Sequence, residues 1–110
     1  MYSIAFIFKP GKYDEEFYEL DSSIEKFAES LEGFIGKEVW HSADQKMVNS
    51  TYYWKDEESI KTFSSHPKHI EAKRQYKKWY EGYHIVTSKV ERSYGDNTIG
   101  HITPNNRNKS

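Results

Sequence analysis

Residues Tyr2–Lys9 alternate in character: Tyr2, Ile4, Phe6 and Phe8 share one side, and Ser3, Ala5, Ile7 and Lys9 the other. A period of two predicts a strand, and Pro10-Gly11 ends it. Between Tyr13 and Glu32 the period lengthens. Phe17, Leu20, Ile24, Phe27, Ala28 and Leu31 form one stripe on a helix of about five turns, and Gly33 stands where a left-handed C-terminal cap belongs. Phe34–Ser42 and Met47–Lys55 are β-rich runs joined by Ala43-Asp44-Gln45-Lys46, which predicts a hairpin with a four-residue connection. Asp56 before Glu57 and Glu58 is an N-cap with acids in the first turn, opening a short helix whose apolar face is Ile60 and Phe63. Ser65-His66-Pro67 restarts the helical pattern, with His69, Ala72, Tyr76, Trp79, Tyr80 and Tyr83 at helical spacing until Gly82 interrupts. The last strand is expected over Tyr83–Tyr94, anchored by Ile85, Val86 and Val90.

The order strand, helix, strand, strand, split helix, strand is that of a βαββαβ chain. It predicts an α+β, ferredoxin-like fold: a four-stranded antiparallel sheet with helices on one face. Residues 1–95 form this domain. Residues 96–110 hold four Asn, one Pro and one Gly without periodicity, and are expected to be a polar tail available to lie on a partner. The helix-free face would expose Ser3, Ala5, Ile7 and their neighbours, so a twofold homodimer packed sheet against sheet is expected.

Composition narrows the classes. The chain has 110 residues, no Cys, a net charge of -1 and 18 aromatics (9 Tyr, 6 Phe, 3 Trp). Without thiols there is no disulfide, thiolate metal site or cysteine nucleophile, which fits a reducing, cytoplasmic setting. Ile4–Phe8 is the longest apolar run, far short of the roughly 20 residues that span a bilayer, so no membrane partner is expected. Tyr13–Glu32 carries eight acids and one base, whereas residues 68–78 carry five bases and one acid. Two complementary solvated faces account for this pattern, and the near-zero total argues against a nucleic-acid partner.

Much of the apolar inventory is Tyr and Trp, whose OH and NH groups need partners when buried, so a partly polar cavity or a subunit interface is expected. The stripe with Tyr76 and Trp79 is either helix–sheet core or the wall of a pocket for a flat aromatic ligand. His69 titrates near neutral pH and suits proton removal from a phenol. With His66 three residues earlier it would offer only two metal ligands, so no metal is expected. Asn49 is a polar residue in mid-strand, facing either water or a cavity in which it would hydrogen-bond a substrate carbonyl or anion. Trp54 ends the same strand and is expected at the cavity's base.

Gly33-Phe34-Ile35-Gly36, then Tyr52-Tyr53-Trp54-Lys55-Asp56-Glu57-Glu58, then Phe63 with Ser65-His66-Pro67-Lys68-His69, and finally Val90-Glu91-Arg92-Ser93-Tyr94-Gly95 resemble the antibiotic biosynthesis monooxygenase family over roughly residues 2–95. The resemblance implies a dimeric α+β barrel. It also implies either cofactor-independent oxygenation of polycyclic phenols or haem degradation. The haem-degrading branch has an Asn on the first strand, a Trp on the short helix and a ligating His on the long one. Here the first strand has no Asn, Phe63 stands at the Trp position and Lys73 at the His position, leaving His69 one turn away as the alternative ligand. The expected function is thus a cofactor-independent monooxygenase acting on a small aromatic or quinone-like molecule. His69 and Asn49 are its catalytic candidates, and Trp54, Phe63, Tyr76 and Trp79 its substrate-binding candidates. Haem binding or breakdown, and a non-catalytic binding or stress-response module, are the alternatives.

Overall fold

The alternating segment becomes β1 (Tyr2–Pro10) in the computed structural model, which describes residues 1–106. Beside it, β3 (Val48–Trp54) and β4 (Tyr80–Lys89) run antiparallel, and β2 (Phe34–His41) pairs with β3, giving the sheet order β2-β3-β1-β4. With α1 (Glu15–Ser30), α2 (Glu57–Ser64), α3 (Pro67–Arg74) and α4 (Tyr76–Trp79) in the expected order, this is the ferredoxin-like α+β fold.

Apolar spacing decides which face the helices cover. Ile4 pairs with Tyr52 and Thr87, and Phe6 with Ser50 and Ile85, so these residues share the helix side of the sheet. On that side Ala28, Trp54 and Phe63 form the buried core, flanked by Ile4, Ile24, Phe27, Leu31, Phe34, Tyr52 and Ile60. A second cluster closes the other end, where Phe17 lies against Tyr13, Trp79 and Tyr80. One carboxylate oxygen of Asp14 serves both levels of structure. Oδ1 caps α1 by accepting from Phe17 N at 2.9 Å, and it also accepts from Trp79 Nε1 at 3.0 Å. Asp56 caps α2 in the same way through Ser59 N at 2.8 Å.

Two local expectations are corrected. Gly33 is not a left-handed cap, since no glycine has positive φ among the described residues. Its missing side chain serves space instead: a Cβ there would lie 1.9 Å from Ser59 Oγ and 2.6 Å from Ser59 Cβ. Gly33→Ala should therefore cost about 1–3 kcal/mol by overpacking. Thermal unfolding of this variant, with and without Ser59→Gly, checks the cause. A loss that Ser59→Gly leaves wholly unrelieved would contradict it.

The second correction concerns the long helical stripe. It breaks at Gln75, and the strand begins at Tyr80 rather than Tyr83. The carbonyl of Trp79 accepts from Gly11 N at 2.7 Å, which draws Tyr80 alongside Pro10 instead of allowing another helical turn. Pairing also stops earlier than expected: β4 ends at Lys89, and Val90 N donates to Met1 O. The hairpin connection spans 42–47, where Gln45 takes φ 63° and Asp44 Oδ1 accepts from Ser42 Oγ and Lys46 N.

The segment after Gly95 is expected to be a polar tail available to lie on a partner. Its described part folds back on its own chain, while residues 107–110 lie outside the described residues. Ser93 and Thr103 hydroxyls meet at 2.5 Å, and Asn105 Nδ2 donates to Gly95 O at 3.0 Å. Ile102 packs over Gly36, on the face away from the helices. Glu38, also on that face, accepts from Tyr53 OH at 2.6 Å and from His101 Nε2 at 2.8 Å. Burial works against the charge of Glu38, but hydrogen bonds from Tyr53, His101 and Trp40 outweigh it and hold the carboxyl below its ordinary range. Burial and Glu38 together push the Tyr53 phenol up to about 12. Glu38→Ala should loosen the tail without unfolding the sheet. The expected readout is faster proteolysis within residues 96–106, with stability changed by no more than about 1 kcal/mol. Cleavage at the parent rate would show that this clasp does not hold the tail.

Candidate functional site

Helices cover the helix side of the sheet unevenly. α3 packs on α1 and α2 and on no strand to a comparable extent, and none of its residues is buried. The outer strand β4 is consequently left open, with Tyr83 48% and Ile85 46% exposed beside half-buried Ile4 and Phe6. Ile4, Phe6, Tyr83 and Ile85 thus form an apolar strip on the helix side of the sheet.

Two groups of rings bound this strip. On one side the Phe63 ring touches Trp54 (5.0 Å between centroids), Tyr52 (5.8 Å) and His69 (4.7 Å), so it links the sheet to α3. On the other side Phe6 touches Tyr83 at 5.9 Å, and Tyr83 meets Tyr76 edge-on at 5.0 Å. Ile4 and Phe6, two residues apart on β1, span the distance between the groups.

His69 is held by its backbone surroundings. Its Nδ1 lies 3.3 Å from the Phe63 carbonyl, which can only accept, so Nδ1 carries the proton and Nε2 keeps its lone pair. Burial, reinforced by Lys73 and His66, lowers its pKa from 6.5 against the opposing pull of the Phe63 carbonyl. His66 is engaged elsewhere: its Nδ1 caps α3 at Lys68 N (3.2 Å), and its ring lies 3.9 Å from that of Phe27. No group of three or more His, Asp and Glu side chains is assembled for a metal among the described residues.

Tyr52 OH donates to Glu25 Oε1 at 3.1 Å, and Lys37 pairs with the same oxygen. Burial first, then Glu25, pushes the Tyr52 phenol far up, so it stays protonated. Burial, assisted by Glu25 and opposed by Lys37, also raises the carboxyl of Asp21.

The other sequence candidates are distributed as follows. Tyr76 lies at the strip with Tyr83, and Phe63 touches His69 from within the core. Trp54 and Trp79 are enclosed by protein, at 0% and 1% exposure; Trp54 belongs to the core and Trp79 to the second cluster, so neither ring is presented to a ligand. Asn49 is on the opposite face. It pairs with Ile7 and Trp40, and its Oδ1 accepts from Thr51 Oγ1 at 2.8 Å. Sequence reasoning did not single out Tyr52 or Phe6 for the strip. Their alternation with Tyr53 and Ile7 was the available signal, but only the sheet register decides which parity meets the helices.

The family model described as Monooxygenase af470-like matches residues 6–99. Similar solved structures include Rv0793 from Mycobacterium tuberculosis, with TM-score 0.69 and 9% identity, covering 86% of this chain and 98% of that one. SnoaB, a cofactor-independent oxygenase from Streptomyces nogalater, has TM-score 0.65 and 11% identity over 84% of this chain and 94% of its own. A conserved protein from Methanosarcina mazei has TM-score 0.59 and 20% identity over 81% of this chain and 93% of its own. No curated protein matches the sequence significantly.

Proposed function

The chain belongs to the Monooxygenase af470-like family, and from that premise we propose that it oxygenates a small aromatic or quinone-like molecule without a resident cofactor. The observation that carries this reading is His69, held at the Phe63 carbonyl with Nε2 unprotonated and its ring against Phe63, whose core cluster packs against Ile4 at one end of the ring-lined strip. The fold shared with a cofactor-independent oxygenase supports it.

A phenolic substrate whose ring rests on Ile4, Phe6 and Tyr83 would give its acidic proton to His69 Nε2. The resulting anion is electron-rich enough to pass one electron to dioxygen. The substrate radical and superoxide then combine to form a carbon–oxygen bond. Loss of water from the peroxide leaves a carbonyl on the substrate carbon: that carbon gives up two hydrogens, one oxygen atom stays on it, and the other departs as water. The substrate supplies every electron. The protein's share is to orient the ring, exclude water and accept one proton.

The opposite face supports self-association. Trp40 is 65% exposed there, in line with Asn49, Ile7 and His84, and Val86 stands one row on. Two copies packed through this face would remove the exposed indole from water. Asn49, which does not face the strip, would then lie in the subunit interface.

Oxygen uptake with hydroxylated anthrones tests the chemistry. The expected result is one dioxygen consumed per ketone formed, with loss of turnover in His69→Ala. Absence of uptake across the panel in folded protein would refute the oxygenase reading.

A further inference from the structure

The floor at Phe6 and Tyr83 runs into a region of different chemistry where α4 turns into β4. Two open depressions lie side by side there, of about 460 and about 630 Å³. The first adjoins the end of β1 and includes Lys12, Lys77 and Lys78; the second includes Tyr76 and Tyr83. Lys77, Tyr80 and Glu81 line both, so the two depressions adjoin and are taken together as a groove. Because Tyr76 and Tyr83 also bound the aromatic strip, the second depression lies next to it.

Charge in the groove is unbalanced. Lys12, Lys77 and Lys78 face the single acid Glu81 among its lining residues. Lys78 is partly neutralised by Glu16 at 3.1 Å and lies over the Trp79 ring. Lys12 and Lys77 take part in no ion pair among the described residues. The backbone brings these ammonium groups together. Gly11 N donates to Trp79 O at 2.7 Å, and a Cβ on Gly11 would lie 2.7 Å from that oxygen, so the backbone joins the segment of Lys12 to the end of α4, and Lys12 lines the same depression as Lys77 and Lys78. The protein as a whole has charge -1, and this local excess of positive charge is set beside rings instead of being dispersed. A single aromatic acid meets both features: its rings cover the strip, and its anionic group reaches Lys77 and Lys12.

We propose that this groove binds the anionic substituent of the ligand, so that the preferred ligand is an aromatic acid, a ring system carrying a carboxylate besides its phenol. The inference rests on the strip being the aromatic floor described above. Lys77 and Lys12 are its specificity-determining residues. They act on affinity and selection and leave the proton transfer to His69.

Paired fluorescence titrations of the full chain with 1-hydroxy-2-naphthoate and with neutral 1-naphthol test it. The acid should bind about tenfold more tightly than the naphthol. High salt should erase that advantage, and so should Lys77→Gln combined with Lys12→Gln, while naphthol affinity stays at the parent value. These lysines are surface groups, and unchanged thermal unfolding of the variant verifies that the fold persists. Equal affinity for the two probes, or an acid preference that survives the double substitution, would overturn the inference and leave the aromatic floor intact. Failure of both probes to bind would remove the floor itself.

Discussion

Trp54→Ala should destabilise the protein by about 4 kcal/mol, the range observed when a buried aromatic is truncated to Ala. Trp54 is 0% exposed and anchors the core between Phe34 and Phe63. A domain of this size has only about 5–15 kcal/mol in total, so the thermal midpoint should fall by roughly 20 °C. Trp54→Phe should behave quite differently. The indole Nε1 is buried without a hydrogen-bond partner among the described residues, and an orphaned donor already costs about 1–3 kcal/mol. Phe removes that penalty while keeping most of the ring, so its net loss should stay near 1 kcal/mol. Denaturant unfolding of the two variants separates the effects. Equal losses would mean that the indole N–H has a partner in solution and that Trp54 is more than packing.

The second large effect is on turnover. His69→Ala should lower the oxygenation rate about 100-fold, the lower end of what a positioned base contributes, with little change in ligand affinity. The pH profile carries a sign. Folding lowers the pKa of His69 from 6.5, chiefly through burial, so the base remains neutral and active at pH 6.5 and loses rate only as pH falls through its folded value. Stability follows the same direction. The unfolded chain binds the proton more readily, so the contribution of His69 is fully present above pH 6.5 and is lost as pH drops toward and through the lower folded pKa. His69→Gln should flatten both dependences. A rate that rises on acidification, or a profile that His69→Gln leaves unchanged, would count against His69 as the base.

Local rules made most of the fold legible in the sequence. The alternation in Tyr2–Lys9, the stripe through Phe17 and Leu20, and the caps at Asp14 and Asp56 each depend on neighbours within a turn or two. Those elements appear within a few residues of their expected bounds. The errors fell where distant contacts decide. Trp79 reads as a continuing helix until its carbonyl meets Gly11, and Gly33 reads as a cap until Ser59 of α2 arrives against it. The family resemblance was readable, and His69 draws notice in the sequence because histidine at a helix start carries its chemistry with it. Which rings stay exposed and which join the core was not readable. Tyr76 and Trp79 belong to one stripe, yet the break at Gln75 leaves Tyr76 on the strip and puts Trp79 into the cluster around Phe17. Asn49 depended on strand register, and one residue of difference exchanges the helix side for the far side.

The proposed function requires that an aromatic ligand sit on the uncovered ring strip of β1 and β4. A residue-resolved NMR titration with 1-naphthol measures this directly. The predicted shifts cluster at Ile4, Phe6, His69, Tyr83 and Ile85 and saturate together. Shifts confined to Trp40, Ile7 and Val86 on the opposite face, or none at all, would contradict it.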